Sequence, residues 1–270
     1  RMVYQFKLTT ARSITTGAGV NSIYGLLLWF DSTAEKAISD SESMDGNTVT
    51  KWYDTNPQQV FKYTLSQNIS ANRPTYVAKG QNGLPVLRFA STSATVQTMS
   101  TNSIINDLAN NPSFTAFIVA SSSHNSSSVA RMIQLGNQSY ACTGVNVSYW
   151  SSNQMAIVFN GGEKAFTVPA SSNAGILEVV RDSVVGASSV NDGTTVYFNG
   201  KNSPLSARNN GDCTPSLVFS SMLLSPDTPI SPTTWSMDFA EILIFNRVLK
   251  NDERKDIRDY LAKKWSIKVS

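Results

Sequence analysis

Charge is the scarcest property of this 270-residue chain. Asp, Glu, Lys and Arg together supply 15% of it, against about 25% in an ordinary soluble protein. Polarity comes instead from Ser, Thr and Asn, which suits exposed turns and a protein working outside the cytosol, at a cell surface. The 22 basic and 19 acidic residues leave a net charge of +3. The one dense charged cluster, KNDERKDIRDYLAKK, interleaves acids with bases, so nucleic acid finds no segregated basic face and is excluded as a partner.

Reactive side chains are equally scarce. Histidine occurs once, as His124 in the polar run SSSHNSSS, with no Asp or Cys beside it and no G-x-S-x-G elbow to serve it. P-loop, dinucleotide and H-E-x-x-H motifs are missing. The two cysteines, Cys142 and Cys213, lack C-x-x-C spacing, which excludes the usual zinc and redox arrangements. The expectation is a disulfide formed in an oxidising compartment, worth roughly 4 kcal/mol for a loop of that length; the alternative is two buried thiols that never meet. No run of about 18 apolar residues occurs, so no membrane helix is predicted. A chain starting at Arg1 reads as a processed or truncated product, with membrane attachment only through a segment upstream of residue 1.

What is present is strand. Apolar residues make up 41% of the chain, enough for a core. GLLLWFD, residues 25–31, is a continuous apolar run typical of a buried strand. TVTKWYD alternates, with Thr50, Trp52 and Asp54 opposite Val49, Lys51 and Tyr53. SFTAFIVASSS sets Phe114, Ala116, Ile118 and Ala120 against Thr115, Phe117 and Val119. Further short strands follow at hairpin spacing, with turns at NGG (160–162), NDG (191–193) and Asn199-Gly200. SMDFAEILIFNRVL is the last strand. One helix is predicted from about Asp252 to Lys264, capped by Asn251, with Ile257, Leu261 and Trp265 on one face and Val248 and Leu249 stapling its start. Many short strands and one terminal helix predict an all-β antiparallel sandwich, a jelly roll.

The order of these motifs carries a resemblance. GLLLWFD, VTKWYD, RPTYV…NGLPVLRF, FTAFIV, TTVYFNG and the ending FAEILIFNRVLKNDERKDIRDYLAKKW resemble the laminin-G-like, concanavalin A-like jelly-roll superfamily in its bacterial form. The likeness runs from about Gly25 to Val269, and makes residues 25–270 one domain. The stretch LTTARSITTGAGVNSIYGLLLWFD is similar to the junction of pilin-like surface proteins of bacteria. That likeness implies that residues 1–24 are the end of an anchoring helix, with a short helical piece retained.

The candidate chemistry is thin. Glycosidases of this superfamily need two carboxylates about 5–10 Å apart. Glu178 and Asp182 share a strand face at roughly 13 Å, and Glu241 stands alone in an apolar run. No catalytic residue is therefore assigned, and a carbohydrate-active enzyme remains the alternative reading. Sugar recognition wants an aromatic platform beside amides; Asn146, Tyr149, Trp150 and Trp235 are the candidates. Calcium is common in the superfamily, and the acid-rich DSESMDG loop offers Asp40, Glu42 and Asp45, with Asp54 beyond it. The register misses an EF-hand at its third ligand, and Asp45-Gly46-Asn47 is turn chemistry in itself, with the acids facing water at the tip. The expected function is an extracellular binding, adhesion or assembly module that recognises glycans or a surface protein. A structural filament or appendage subunit, partnered by its own kind, is the third reading.

Overall fold

The computed structural model describes residues 17–92, 95–101, 113–123, 130–136, 145–151, 153–159, 162–169, 173–182, 193–209, 221–225 and 235–270. The described strands form two antiparallel sheets. The first holds β1 (Leu26–Asp31), β4 (Thr75–Gln81), β5 (Leu84–Ser91), β7 (Phe114–Ser122), β12 (Gly175–Arg181), β13 (Thr194–Phe198), β14 (Lys201–Asn202) and β17 (Trp235–Phe245). The second holds β2 (Lys51–Tyr53), β3 (Thr64–Ser66), β6 (Met99–Thr101), β8 (Ala130–Leu135), β9 (Val145–Ser151), β10 (Gln154–Phe159), β11 (Gly162–Thr167), β15 (Ser206–Asn209) and β16 (Met222–Leu224). A short helical turn, α1 (Gly17–Val20), precedes β1, and α2 (Asn251–Trp265) follows β17. This is the all-β antiparallel sandwich with one C-terminal helix that the patterning predicts.

The first sheet runs β14-β13-β12-β7-β17-β5-β4. Its long strand β17 pairs along one side with β7, and on the other with β5 first and then β1. The second runs β15-β11-β10-β9-β8-β16-β6-β3-β2. Leu28, Phe30, Phe114, Ile118, Leu177, Val179, Phe239 and Ile242 point from the first sheet into the core between the two, where Trp52, Leu65, Ile133, Val147 and Met155 meet them.

A second core lies on the other face of the first sheet. Trp29, Phe117, Val119, Ile176, Leu243 and Phe245 pack there against Ile257, Tyr260, Leu261 and Trp265 of α2. Both faces of β1, β7 and β12 are therefore covered, which is why these strands read as unbroken apolar runs rather than as alternations. Val20 and Ile23 join this second core, so the short N-terminal turn is packed beneath the helix.

The helix begins one residue earlier than predicted, and Asn251 is not its cap. Lys250 takes the cap position with extended backbone, and Glu253 reaches back to accept its N–H at 2.8 Å. Asn251 instead accepts from Arg254 Nη2. Glu253 also binds Arg247 through both carboxylate oxygens, joining the helix start to the end of β17. Leu249 is buried in the helix-side core as the staple expectation requires, and its N–H donates to Thr115 Oγ1 of β7. The far end closes at Ser266, in left-handed backbone.

Trp265 is fully buried and its indole N–H is bonded. Trp265→Ala should cost about 3–5 kcal/mol in urea unfolding. Lys263→Ala, at an exposed position two residues before Trp265, should change stability by less than about 0.5 kcal/mol.

Candidate functional site

Burying a carboxylate demands donors or a cation, and two glutamates of this fold meet that demand. Glu241 has no exposed surface. Register between β17 and β7 shifts between Phe239 and Glu241, and Glu241 lies opposite Asp31 of β1, on the face beneath α2. Its Oε1 accepts from the Trp29 indole N–H at 2.7 Å and the Tyr260 hydroxyl at 3.0 Å. Its Oε2 accepts from Lys264 Nζ at 2.9 Å and the Trp265 indole N–H at 2.8 Å. Lys264 Nζ also donates to Asp31 Oδ2 at 2.7 Å, so one ammonium serves two carboxylates. Burial, then the charge of Asp31, raises the Glu241 pKa to about 7, against the pull of Lys264 and Trp265. Burial and Glu241 push the Tyr260 hydroxyl far above its ordinary value.

Glu178 of β12 is equally enclosed. Arg254 Nη1 donates to its Oε2 at 3.1 Å, Arg258 Nη2 to the same oxygen at 3.2 Å, and Arg258 Nε to Oε1. The Arg254 guanidinium also lies 4.2 Å over the Tyr197 ring. Glu178 does not act with Asp182 as a pair flanking a substrate; it faces the helix and its lone pairs are spent. Neither buried acid can reach a glycosidic oxygen or a water in a cleft.

The acid-rich loop has a different employment from the one its composition suggests. Asp45 Oδ1 accepts the Ala78 N–H of β4 at 2.9 Å, and Glu42 Oε2 accepts the Thr50 N–H at 3.1 Å. Gly46 N–H donates to Tyr76 O and Tyr76 N–H to Asn47 O. The loop thus covers the outermost strand of the first sheet, an edge that would otherwise be open to pairing with other chains. Asp45 stays exposed to water, as expected, while making this bond to the edge strand. Asp54 lies away in a buried position, where Oδ1 accepts the N–H groups of Trp29 and Asn56 and Oδ2 that of Tyr63; burial raises its pKa. Asp40 is exposed. Among the described residues no three His, Cys, Asp or Glu side chains gather in a way that could hold an ion, so Asp40, Glu42, Asp45 and Asp54 are not brought together.

Asn146, Tyr149 and Trp150 fall on β9, in the middle of the second sheet, and Trp235 opens β17. Their side chains, together with His124, Cys142 and Cys213, lie outside the described residues, as do residues 1–16 of the N-terminal segment.

The structure supplies a site that sequence reasoning missed. Two adjoining cavities, of about 550 and 830 Å³, share Val168, Pro169, Phe198, Asn199 and Lys268. They form a groove between the end of β11, the β13–β14 hairpin and the segment after α2. The Asn199-Gly200 turn shapes one wall, with φ of 50° and 84°. A Cβ at Gly200 would lie 2.7 Å from the Ser270 carbonyl oxygen, so glycine is required there for space as well as for φ. Gln81 and Asn82 donate their side-chain amide N–H to the Trp265 and Lys264 carbonyls, which closes the helix end, and both residues line the groove. Asn202, Ser203 and Thr167 add polar groups, Phe198 an apolar wall, and Lys201 and Lys268 exposed cations. Among the described residues, the lining contains no carboxylate, histidine or cysteine side chain. Its described groups can hydrogen-bond to a ligand, and Phe198 offers an apolar face. Its pieces come from five separated segments; the Asn-Gly turn was their one visible signal.

Two outcomes follow. Glu241 has a folded pKa above its unfolded value near 4.5, so its contribution to stability is complete below that value and is lost as pH rises through about 7. Lys264→Met removes the shared ammonium. It should cost about 3–5 kcal/mol at pH 8, where a carboxylate is left buried without its cation, and clearly less at pH 5, where Glu241 takes a proton; urea unfolding at the two pH values measures this. Calcium should leave the melting temperature unchanged, and Asp45→Ala should lower it equally with and without the ion, through loss of the bond to Ala78.

No protein-family profile matches the chain, and no curated protein sequence matches it. Solved structures do. A structure of botulinum neurotoxin type C, described in terms of cell entry dependent on interaction with two ganglioside molecules, superposes with a TM-score of 0.63 at 13% identity, covering 91% of this chain and 53% of that one. The botulinum neurotoxin serotype C1 binding domain gives 0.60 at 13% identity over 90% and 53%. The binding domain of botulinum neurotoxin DC, in complex with SialylT, gives 0.55 at 12% identity over 90% and 52%. This chain therefore spans about half the length of these structures, and what it shares with them is the antiparallel β-sandwich fold.

Proposed function

We propose that this chain is a non-catalytic recognition module whose groove beside the β13–β14 hairpin binds a glycan. One observation carries the reading: among the described residues the groove is lined by amides, hydroxyls, an aromatic wall and lysines, without a side-chain carboxylate, while the two fully enclosed glutamates are held by α2. Sugar hydroxyls are met well by such groups, and hydrolysis needs the paired carboxylates this lining lacks. The superposed structures include neurotoxin binding domains in complex with SialylT and with rat synaptotagmin II, and a neurotoxin whose cell entry depends on interaction with two ganglioside molecules. These support binding over turnover.

In the same reading the module is the exposed head of a bacterial surface protein, pilin-like at its N-terminal junction, acting outside the cell in adhesion. The low charge content, and the likeness of LTTARSITTGAGVNSIYGLLLWFD to such junctions, support that setting.

A glycan array probed with the 270-residue chain tests the function. Binding to one glycan class is expected, with affinity falling about tenfold, equivalent to some 1.4 kcal/mol, in a Lys201→Ala/Asn202→Ala double variant, and with no sugar released on prolonged incubation. A silent array, or hydrolysis of any glycan, overturns the proposal.

A further inference from the structure

Large apolar side chains left in water are informative when they cluster. Among the described residues, six large hydrophobics are strongly exposed, and four of them, Tyr53, Val60, Phe61 and Ile69, fall within seventeen positions on the β2–β3 hairpin and its flank. Val60 is 102% exposed and Phe61 57%. Both sit at the tip of the loop that joins β2 to β3, the last two strands of the second sheet.

The base of this loop is clamped. The buried Asp54 carboxylate accepts from Asn56 on one limb and Tyr63 on the other, and Asp54 N–H donates to Tyr63 O at 3.1 Å. Asn56 Nδ2 donates to Leu26 O, and Gln58 Nε2 to the carbonyls of Asn21 and Ile23. Above that clamp, among the described residues, positions 59–62 make no hydrogen bond. A firmly built stalk thus carries an apolar tip, of which Phe61 sets one edge against the buried Tyr63 ring while Val60 is left wholly in water.

The exposed charges of this segment have one sign. Residues 51–73 contain Lys51, Lys62 and Arg73, and their single acid, Asp54, is buried. Lys51 and Lys62 are exposed and have no ion-pair partner among the described residues, and both Arg73 bonds go to backbone carbonyls. Apolar residues at a tip with cations behind them match the layering of a bilayer surface, hydrocarbon first and anionic headgroups outside it. We propose that the Val60–Phe61 tip inserts into the surface of a lipid bilayer carrying anionic headgroups, with Lys51 and Lys62 on the headgroups. This contact is separate from the groove and does not depend on glycan binding.

Co-sedimentation of the full chain with vesicles of phosphatidylcholine, alone or mixed with phosphatidylserine, tests it. Binding to the mixed vesicles is expected, weakened by added salt. Val60→Ser/Phe61→Ser, at positions outside the core, should reduce partitioning on the order of tenfold, since insertion scales with buried apolar area. Lys51→Gln and Lys62→Gln should each reduce it roughly fivefold. No sedimentation with mixed vesicles, or undiminished sedimentation of the double serine variant, overturns the proposal. So does concentration-dependent self-association without lipid that the serine variant abolishes, because the tip would then be an interface between copies.

Discussion

Two glutamates buried beneath one helix organise this molecule. Glu178 and Glu241 stand on the outer face of the first sheet, both fully enclosed, and an enclosed carboxylate without its cation is among the costliest defects a fold can carry. The cations come from α2: Arg254 and Arg258 for Glu178, Lys264 for Glu241. The helix therefore cannot leave without exposing apolar surface and stranding two charges at once. Its spacing answers this demand. Ile257, Leu261 and Trp265 fill the apolar positions, while Arg254, Arg258 and Lys264 fall beside them, each reaching the sheet. The dense mixed charge of KNDERKDIRDYLAKK looks in sequence like a solvated helix; half of its cations are in fact turned inward.

The same constraint bears on function. A β-sandwich hydrolase needs accessible acids, and here the best-buried ones have been recruited to hold a helix. The acids of DSESMDG follow the same economy, with Asp45 and Glu42 spent on backbone N–H groups that shield a sheet edge. What remains for partners is amide, hydroxyl and lysine in the groove, and an apolar, cationic hairpin at the end of the second sheet. On the proposed reading, both serve recognition.

Much of the fold was readable in the chain because its signals are local. GLLLWFD and FTAFIVASSS announce buried strands, and the Ile257/Leu261/Trp265 spacing announces the packed face of α2. Asn199-Gly200 announces a hairpin, and its positive φ values confirm it. The cap was misread because Asn251 has the right side chain one residue too late, and Glu253 supplies the bond from inside the helix. The partners of Glu241 were invisible for another reason: Trp29 is 212 residues away from it in sequence, and no local pattern encodes such a meeting. The groove shares this difficulty, since its walls come from segments spread between Gln81 and Ser270. The exposed tip was hidden in the opposite way, because Val60 and Phe61 look like core residues until their exposure is known.

Native-state hydrogen exchange along α2 tests the central claim most directly. If the helix and the first sheet are one unit bound through Glu178 and Glu241, the amides of Ile257 to Trp265 should exchange only with global unfolding, at the same free energy as the slowest amides of β7 and β17. Exchange of the helix through a lower-energy opening, with those strands still protected, would contradict it.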